Sequence, residues 1–274
     1  MLALVVTVPV SEAELASDAL WSLGASAVEE RDVVQDDTVV ELWTSLGDDP
    51  SQVSPAADGF PGRWRWRFIE VDEDVAESWR QHAVATWVTS DLVIVPAWQE
   101  LTRRPGGNVT EIAIDPGAAF GLGDHPTTVA TLRALRKVQW PGASVLDVGC
   151  GSGVLGITAA RFGAPRVFAV DVSPAAVEAT RRNAERNGVD AVLDADRTPV
   201  AELEGPFDIV LANILAPTLV AVADDLQRLT APGGVLIVSG MLDTKYDHVV
   251  EALAPMRLVE RQAGQGWVAL ILRH

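Results

Sequence analysis

The stretch VLDVGCGSG, residues 145–153, sets an aspartate and three alternating glycines directly behind an apolar run. Glycines at 149, 151 and 153 let the backbone turn tightly and approach a ligand. A helix starting behind them points its free N–H groups at whatever sits there. Gly151, Gly153 and Gly156 also satisfy G-x-G-x-x-G, so a nicotinamide dinucleotide enters as one candidate ligand. Asp147 separates the candidates, because a pyrophosphate meets its carboxylate unfavourably, whereas a nucleoside bearing an ammonium and a sulfonium is attracted. Asp171 ends the next apolar run 22 residues after Gly149. That is near the roughly 20-residue offset at which an acid grips ribose hydroxyls, a feature both ligand classes share.

Other residues fall at places where chemistry is done. Asn213 ends the run FDIVLAN, so its amide is expected at the carboxyl edge of a sheet, where open α/β folds bind ligands. Its oxygen there can accept a hydrogen bond from an amine; capping a helix over 215–229 is the competing role. Asp194 and Asp196 follow an apolar triplet, and Asp194 is a candidate acceptor for an adenine amino group, with a solvated loop as the equal alternative. His125, followed by Pro-Thr-Thr, is read as ordering a loop or a helix start in preference to acting as a base. Thr127 and Thr128 stand at that same helix start. Cys150 is a small residue in a turn with nothing marking it as a thiolate. As the one cysteine of the chain, it excludes an internal disulfide and a cysteine-based metal cluster.

These residues need a scaffold. From residue 144 onward strands are predicted at 144–148, 166–170, 191–193, 207–211 and 235–239, alternating with helices at 155–162, 174–187, 215–229 and 244–253. Repeated β-α units imply a parallel sheet covered on both faces. Runs at 257–260 and 266–272, joined by a glycine turn, predict an antiparallel addition. The N-terminal part reads β-α-β-β: strands at 3–8, 27–34, 38–43 and 63–71, a helix after a capping-box pair Ser11/Glu14, and a Pro/Gly/Asp-rich loop over 47–62. That layout suggests a ferredoxin-like module over 1–72. A connector follows over 73–107, with a helical pattern at 74–82 and a strand at 92–96, and a larger domain over 108–274.

Composition bounds the function. The chain has 274 residues, 48% hydrophobic, with no apolar stretch approaching the ~20 residues of a membrane span. A basic leader and a cleavage site are absent from the N-terminus, which makes the cytoplasm the expected location. With 38 acidic against 21 basic residues the net charge is −17, which disfavours free nucleic acid and favours a cationic partner. An acidic host proteome explains the same balance equally well. Trp64 and Trp66 alternate with Arg63, Arg65 and Arg67. Base stacking is conceivable for such a stretch, but a strand with its basic face balancing nearby acids suits this chain better.

Taken in order, IDPGAAFGLGDHPTT (114–128), VLDVGCGSG, AVD (169–171), NAERNGV (183–189) and ANIL (212–215) resemble the bacterial methyltransferases of ribosomal large-subunit protein eleven. The likeness is close over the last two thirds of the chain. The resemblance implies a seven-stranded Rossmann-like catalytic domain using S-adenosylmethionine, and a ferredoxin-like domain gripping the protein substrate. It implies cofactor contacts at Thr128, Gly149, Asp171 and Asn213, with Gly151 in the same loop, and a flap over 120–123 that brings Phe120 to the cofactor. It implies N-methylation of an α-amine and of lysine side chains, without a metal, by a protein expected to be monomeric. The family often has threonine where this chain has Leu122, which removes one possible contact. Other protein or small-amine substrates remain the alternative, and a nicotinamide oxidoreductase a more distant one.

Overall fold

The computed structural model describes residues 2–22, 28–33, 36–44, 59–70, 83–101, 109–115, 122–138 and 141–274. The predicted loop over 47–62, apart from its last four residues, and the predicted helix over 74–82, apart from which only the flanking residue 83 is described, lie outside these; Phe120 does too. The chain divides into two compact units, Met1–Ala83 and Val84–His274. The division falls inside the 73–107 segment that the sequence suggests as a connector.

In the first unit, β1 (Leu2–Pro9), β2 (Val28–Asp32), β3 (Val39–Thr44) and β4 (Arg65–Glu70) form a sheet in the order β2-β3-β1-β4, with every neighbouring pair antiparallel. Period-two alternation puts Leu4, Val6 and Val8 of β1 and Val40 and Leu42 of β3 on one face. They bury Ala16 and Leu20 of α1 (Ala13–Ser22) together with Trp64. Ser11 lies inside a single 3-10 turn, Val10–Glu12, that precedes the helix. Glu12 accepts hydrogen bonds from Trp64 Nε1 (2.7 Å) and Arg63 Nε (2.8 Å). Arg67 pairs with Glu41 at 2.9 Å and Arg31 lies over the Trp43 ring. Arg63 and Arg67 of the RWRWR stretch thus meet acids of their own sheet and turn.

In the second unit, β5 (Thr86–Thr89), β6 (Leu92–Pro96) and β7 (Thr110–Ile114) make a small sheet, β5 antiparallel and β7 parallel to β6. The main sheet has seven strands: β8 (Ser144–Val148), β9 (Arg166–Val170), β10 (Leu193–Asp196), β11 (Phe207–Asn213), β12 (Thr230–Leu242), β13 (Arg257–Gly264) and β14 (Trp267–Arg273). Their order is β10-β9-β8-β11-β12-β14-β13. Strands β8 to β12 are parallel, and β14 runs antiparallel between β12 and β13. This is the Rossmann-like α/β fold expected from the sequence.

Central strands covered on both faces need apolar side chains on both. Odd positions (Val145, Ile209, Leu211, Val235, Ile237) pack under α2 (Pro126–Val138), α3 (Val154–Arg161) and α4 (Pro174–Arg186). Even positions (Leu146, Val148, Val210, Ala212, Leu236, Val238) pack under α5 (Ala216–Ala221), α6 (Ala223–Leu229) and α7 (Asp247–Ala252).

Several boundaries differ from the sequence pattern: β12 and β13, for instance, run well beyond the 235–239 and 257–260 expected. The helix expected over 215–229 is broken at Val222 into α5 and α6, and the one expected over 244–253 is confined to α7. The strand expected over 191–193 is β10, displaced to Leu193–Asp196, because an edge strand alternates Leu193 and Ala195 inward with Asp194 outward. Among the described residues no helix is long and apolar enough to cross a membrane. No group of three His, Cys, Asp or Glu among them is placed to hold a metal ion.

Candidate active site

Strands β8 and β11 are neighbours, but the chain leaves β8 toward β9 and leaves β11 toward β12. The crevice beyond the carboxyl ends of β8 and β11 is therefore the topological switch point, where open α/β sheets hold ligands. The glycine loop begins there. Its Gly149 and Cys150 N–H groups both donate to Val170 O, at 2.8 and 3.1 Å, which latches the loop to the end of β9. Gly149 has φ 71°, and a Cβ on it would run into the Ile214 side chain. Gly153, at φ 82°, is the N-cap of α3 and makes no side-chain cap; a Cβ there would meet Thr180 at 2.8 Å. Neither position tolerates a side chain, so these glycines are required by packing as well as by turn geometry.

Asp147, at the end of β8, is fully buried. Its Oδ2 accepts from Gly156 N at 2.9 Å, whereas Oδ1 has no partner among the described residues. Burial, opposed by the Gly156 bond and aided by the Asp171 carboxylate, pushes its pKa up to about 7. Burial also raises the Cys150 thiol, with Asp147 adding to the shift; its sulfur lies 3.3 Å from Thr180 Oγ1. Cys150 is accordingly a neutral packing residue. A cation placed in the crevice would offset the strain at Asp147; a pyrophosphate would add to it.

Asp171 follows β9. Its Oδ2 accepts from Gly151 N at 3.0 Å and its Oδ1 from Ser173 N at 2.9 Å. It thus fixes the glycine loop and the start of α4, and each oxygen retains a lone pair for a hydroxyl. Val172 beside it is 84% exposed, an apolar side chain left open where a flat base could lie. The sequence does not single it out, since a valine after a strand aspartate carries no pattern of its own. Asp194 is not brought to this site. It lies within β10 opposite Phe168, exposed, with Oδ1 accepting from its own neighbour Ala195 N. Asp196 is the acid at the carboxyl end: its carbonyl accepts from Asp171 N at 3.2 Å, and its Oδ1 from Thr198 N at 2.7 Å.

Asn213 closes β11 one residue past Ala212, which pairs with Val148 of β8, and so stands level with Gly149. Its Nδ2 donates to Thr128 Oγ1 at 3.3 Å, and its buried Oδ1 has no partner among the described residues. The helix-capping alternative does not apply, because α5 starts at Ala216 behind Leu215 and has no side-chain cap. Thr128, 1% exposed in the first turn of α2, holds the Asn213 amide from across the crevice. His125 is at the start of α2: its Nδ1 lies 2.7 Å from Thr127 Oγ1 and accepts from Thr127 N at 3.3 Å, and its ring meets Trp267 edge-on. Burial lowers its pKa, with Asp124 opposing.

Thr128, Gly149, Gly151, Asp171 and Asn213 therefore converge on one crevice, and Asp194 does not. A profile of the family described as Ribosomal protein L11 methyltransferase (PrmA) matches residues 61–274. Relatives of that name include one from Geobacter metallireducens, 44% identical over 202 residues, which are 73% of this chain and 66% of that relative. Another, from Citrifermentans bemidjiense, is 39% identical over 244 residues, 87% of this chain and 79% of that relative. The match to the first thus spans just under two thirds of that relative's length. The crystal structure of a ribosomal protein L11 methylase from Lactobacillus delbrueckii subsp. bulgaricus superposes with a TM-score of 0.64 at 30% identity, covering 70% of this chain and all of that one. With the family profile matched over residues 61–274, most of this chain, and relatives of that name 39–44% identical, this chain belongs to the ribosomal protein L11 methyltransferase family.

Proposed function

We propose that this chain is an S-adenosylmethionine-dependent enzyme that methylates amino groups of ribosomal protein L11, the α-amine and lysine side chains. The observation that carries the chemistry is Asn213. A side-chain oxygen buried at the switch point without a partner among the described residues is costly unless a ligand's N–H satisfies it. The cofactor fits the residues present: the Asp147 carboxylate suits a cationic tail, Asp171 suits ribose hydroxyls, and exposed Val172 suits a base. A nicotinamide dinucleotide would put its pyrophosphate beside Asp147 and is not favoured.

When bound, S-adenosylmethionine supplies a methyl group on a positively charged sulfur, open to direct displacement by a nitrogen lone pair. The chain's own part is positioning. Asn213 Oδ1 accepts an N–H of the incoming amine and so aims its lone pair, while Thr128 holds the Asn213 amide in one orientation. The attacking amine must be neutral, and an unperturbed lysine has a pKa of about 10.4. Desolvation in the crevice lowers the amine's pKa toward that neutral form.

The unit Met1–Ala83 recognises the protein substrate and Val84–His274 carries the chemistry. The net charge of −17 supports a basic partner and works against free nucleic acid. The protein acts as a monomer in the cytoplasm, where ribosomal proteins are made. Intact-mass measurement of L11 incubated with S-adenosylmethionine and the purified chain should show 14 Da increments, about one per methyl transferred. A chain beginning at Val84 should still bind S-adenosylhomocysteine but leave L11 unmodified. No mass increase with the full chain would reject the substrate; full methylation by the shortened chain would reject the division of labour.

Asp171 gives a separate test of the cofactor. Asp171→Ala removes the acceptor for ribose hydroxyls and releases Gly151 and Ser173 N–H groups. S-adenosylhomocysteine affinity should fall by roughly 1.5–3 kcal/mol, the scale of hydrogen bonds to a charged group. Unchanged affinity by calorimetry on a folded variant would remove Asp171 from the cofactor site.

A further inference from the structure

The NAERNGV stretch has no part in the site described so far, yet it contains the most heavily bonded buried side chain next to the glycine loop. Asn183 is fully buried on α4. Its Nδ2 donates to Ser152 O and to Asp115 O, both at 2.9 Å. Its Oδ1 accepts from Asp115 N at 3.0 Å and from Arg186 Nη1 at 2.6 Å. One helical turn later, Asn187 Oδ1 accepts from Ala113 N at 2.9 Å, and its Nδ2 donates to Ala113 O at 2.8 Å and Asn183 O at 2.8 Å.

The two amides do the work of a strand. Among the described residues β7 has one strand neighbour, β6. Residues 113 and 115 share the opposite edge, as period two requires. Asn187 pairs the N–H and C=O of Ala113, and Asn183 pairs those of Asp115, so both residues have their backbone groups on this edge satisfied.

The two differ in one respect. Asn187 stays within α4 and β7, whereas Asn183 also holds a carbonyl of the glycine loop. One turn earlier on α4, Thr180 Oγ1 donates to Gly151 O at 3.0 Å. Two successive loop carbonyls are thus drawn onto α4. In a trans peptide the N–H points opposite to the C=O, so pinning Gly151 O turns the Ser152 N–H away from α4.

We infer that Asn183 is a positioning residue for the cofactor. It sets the glycine loop and ties it to Asp115, from which the chain runs on toward Leu122, the α2 start and Thr128. Binding at the loop and order at the end of β7 are therefore coupled through one side chain. This rests on the methyltransferase reading above.

The test uses the full chain, Asn183→Ala and Asn187→Ala, with S-adenosylhomocysteine as the probe. Asn183→Ala loses two bonds to Asp115 and Asn187→Ala two bonds to Ala113, and the melting temperature should fall in both. Only Asn183→Ala should raise the calorimetric Kd, by about tenfold, the weight of one or two net hydrogen bonds. Asn187→Ala should stay within about twofold. Equal Kd changes in the two variants, or none in Asn183→Ala, overturn the inference. Hydrogen exchange on the wild type keeps it testable if Asn183→Ala does not fold. Saturating S-adenosylhomocysteine should slow exchange of amides 113–115, and unchanged exchange there overturns it. A wild-type chain that fails to bind S-adenosylhomocysteine at all overturns the methyltransferase reading itself, and this inference with it.

Discussion

Asn213→Ala should slow single-turnover methylation by about thirtyfold to a thousandfold, equivalent to roughly 2–4 kcal/mol of barrier, the range for deleting a preorganised polar group. The Oδ1 is the expected acceptor for the amine, and alanine removes it without replacing it. Cofactor affinity should fall less than the rate, because orienting the nitrogen counts most where nitrogen, carbon and sulfur must line up. Stability should barely move. Removing a helix cap costs about 1 kcal/mol, but α5 has no side-chain cap and starts three residues later. The substitution deletes one 3.3 Å bond to Thr128 and one unpartnered buried oxygen, whose effects oppose each other. A folded Asn213→Ala enzyme that methylates at the wild-type rate sinks the catalytic role. Thr128→Ala, which removes the hydroxyl fixing the amide, should give a smaller rate loss in the same direction.

Much of this site is written in local sequence. The glycines, Asp171 and Asn213 can be placed because parallel central strands are apolar on both faces and end abruptly in Gly, Asp or Asn. The end of each run therefore marks the carboxyl edge of the sheet. Edge strands do not announce themselves in this way. In β10 the alternation of Leu193 and Ala195 with Asp194 and Asp196 reads as a loop after a short apolar triplet, so the pattern does not tell which of the two acids stands at the carboxyl end. The break at Val222 has no proline or glycine to signal it.

Contacts set by tertiary neighbours are invisible for a different reason. Asn183 and Asn187 serve the free edge of β7, which lies 68 and 74 residues away in sequence. The Thr128–Asn213 bond spans 85 residues. The collision that forces glycine at 149 comes from Ile214, a residue with no pattern to mark it. The polar character of these positions can be seen in the chain, but what they bond to follows from the strand order.

Asp147→Asn should change how stability depends on pH. In the unfolded chain this carboxyl has an ordinary pKa near 3.8; in the fold, burial pushes it up to about 7. Below both values the group is protonated in either state and contributes no pH dependence. Between them the folded state holds a proton that the unfolded state has released, so stability falls as pH rises, and the decline levels off above about 7. Each unit of pH within that window is worth about 1.4 kcal/mol. The charges that act on Asp147 fit this sign: Asp171 repels the ionised form, and Cys150 stays a neutral thiol beside it. Urea unfolding of the ligand-free protein should therefore show the wild type losing about 2 kcal/mol relative to Asp147→Asn between pH 5.5 and pH 8. A cationic cofactor tail acts the other way, because it favours the ionised carboxylate. Binding of S-adenosylmethionine should expel the proton and tighten with pH across the same window in the wild type, while in Asp147→Asn it should be weaker and nearly flat. Parallel stability curves for the two proteins would show that Asp147 is already ionised in the fold, and a flat wild-type binding profile would remove the carboxylate from contact with the cofactor's charge.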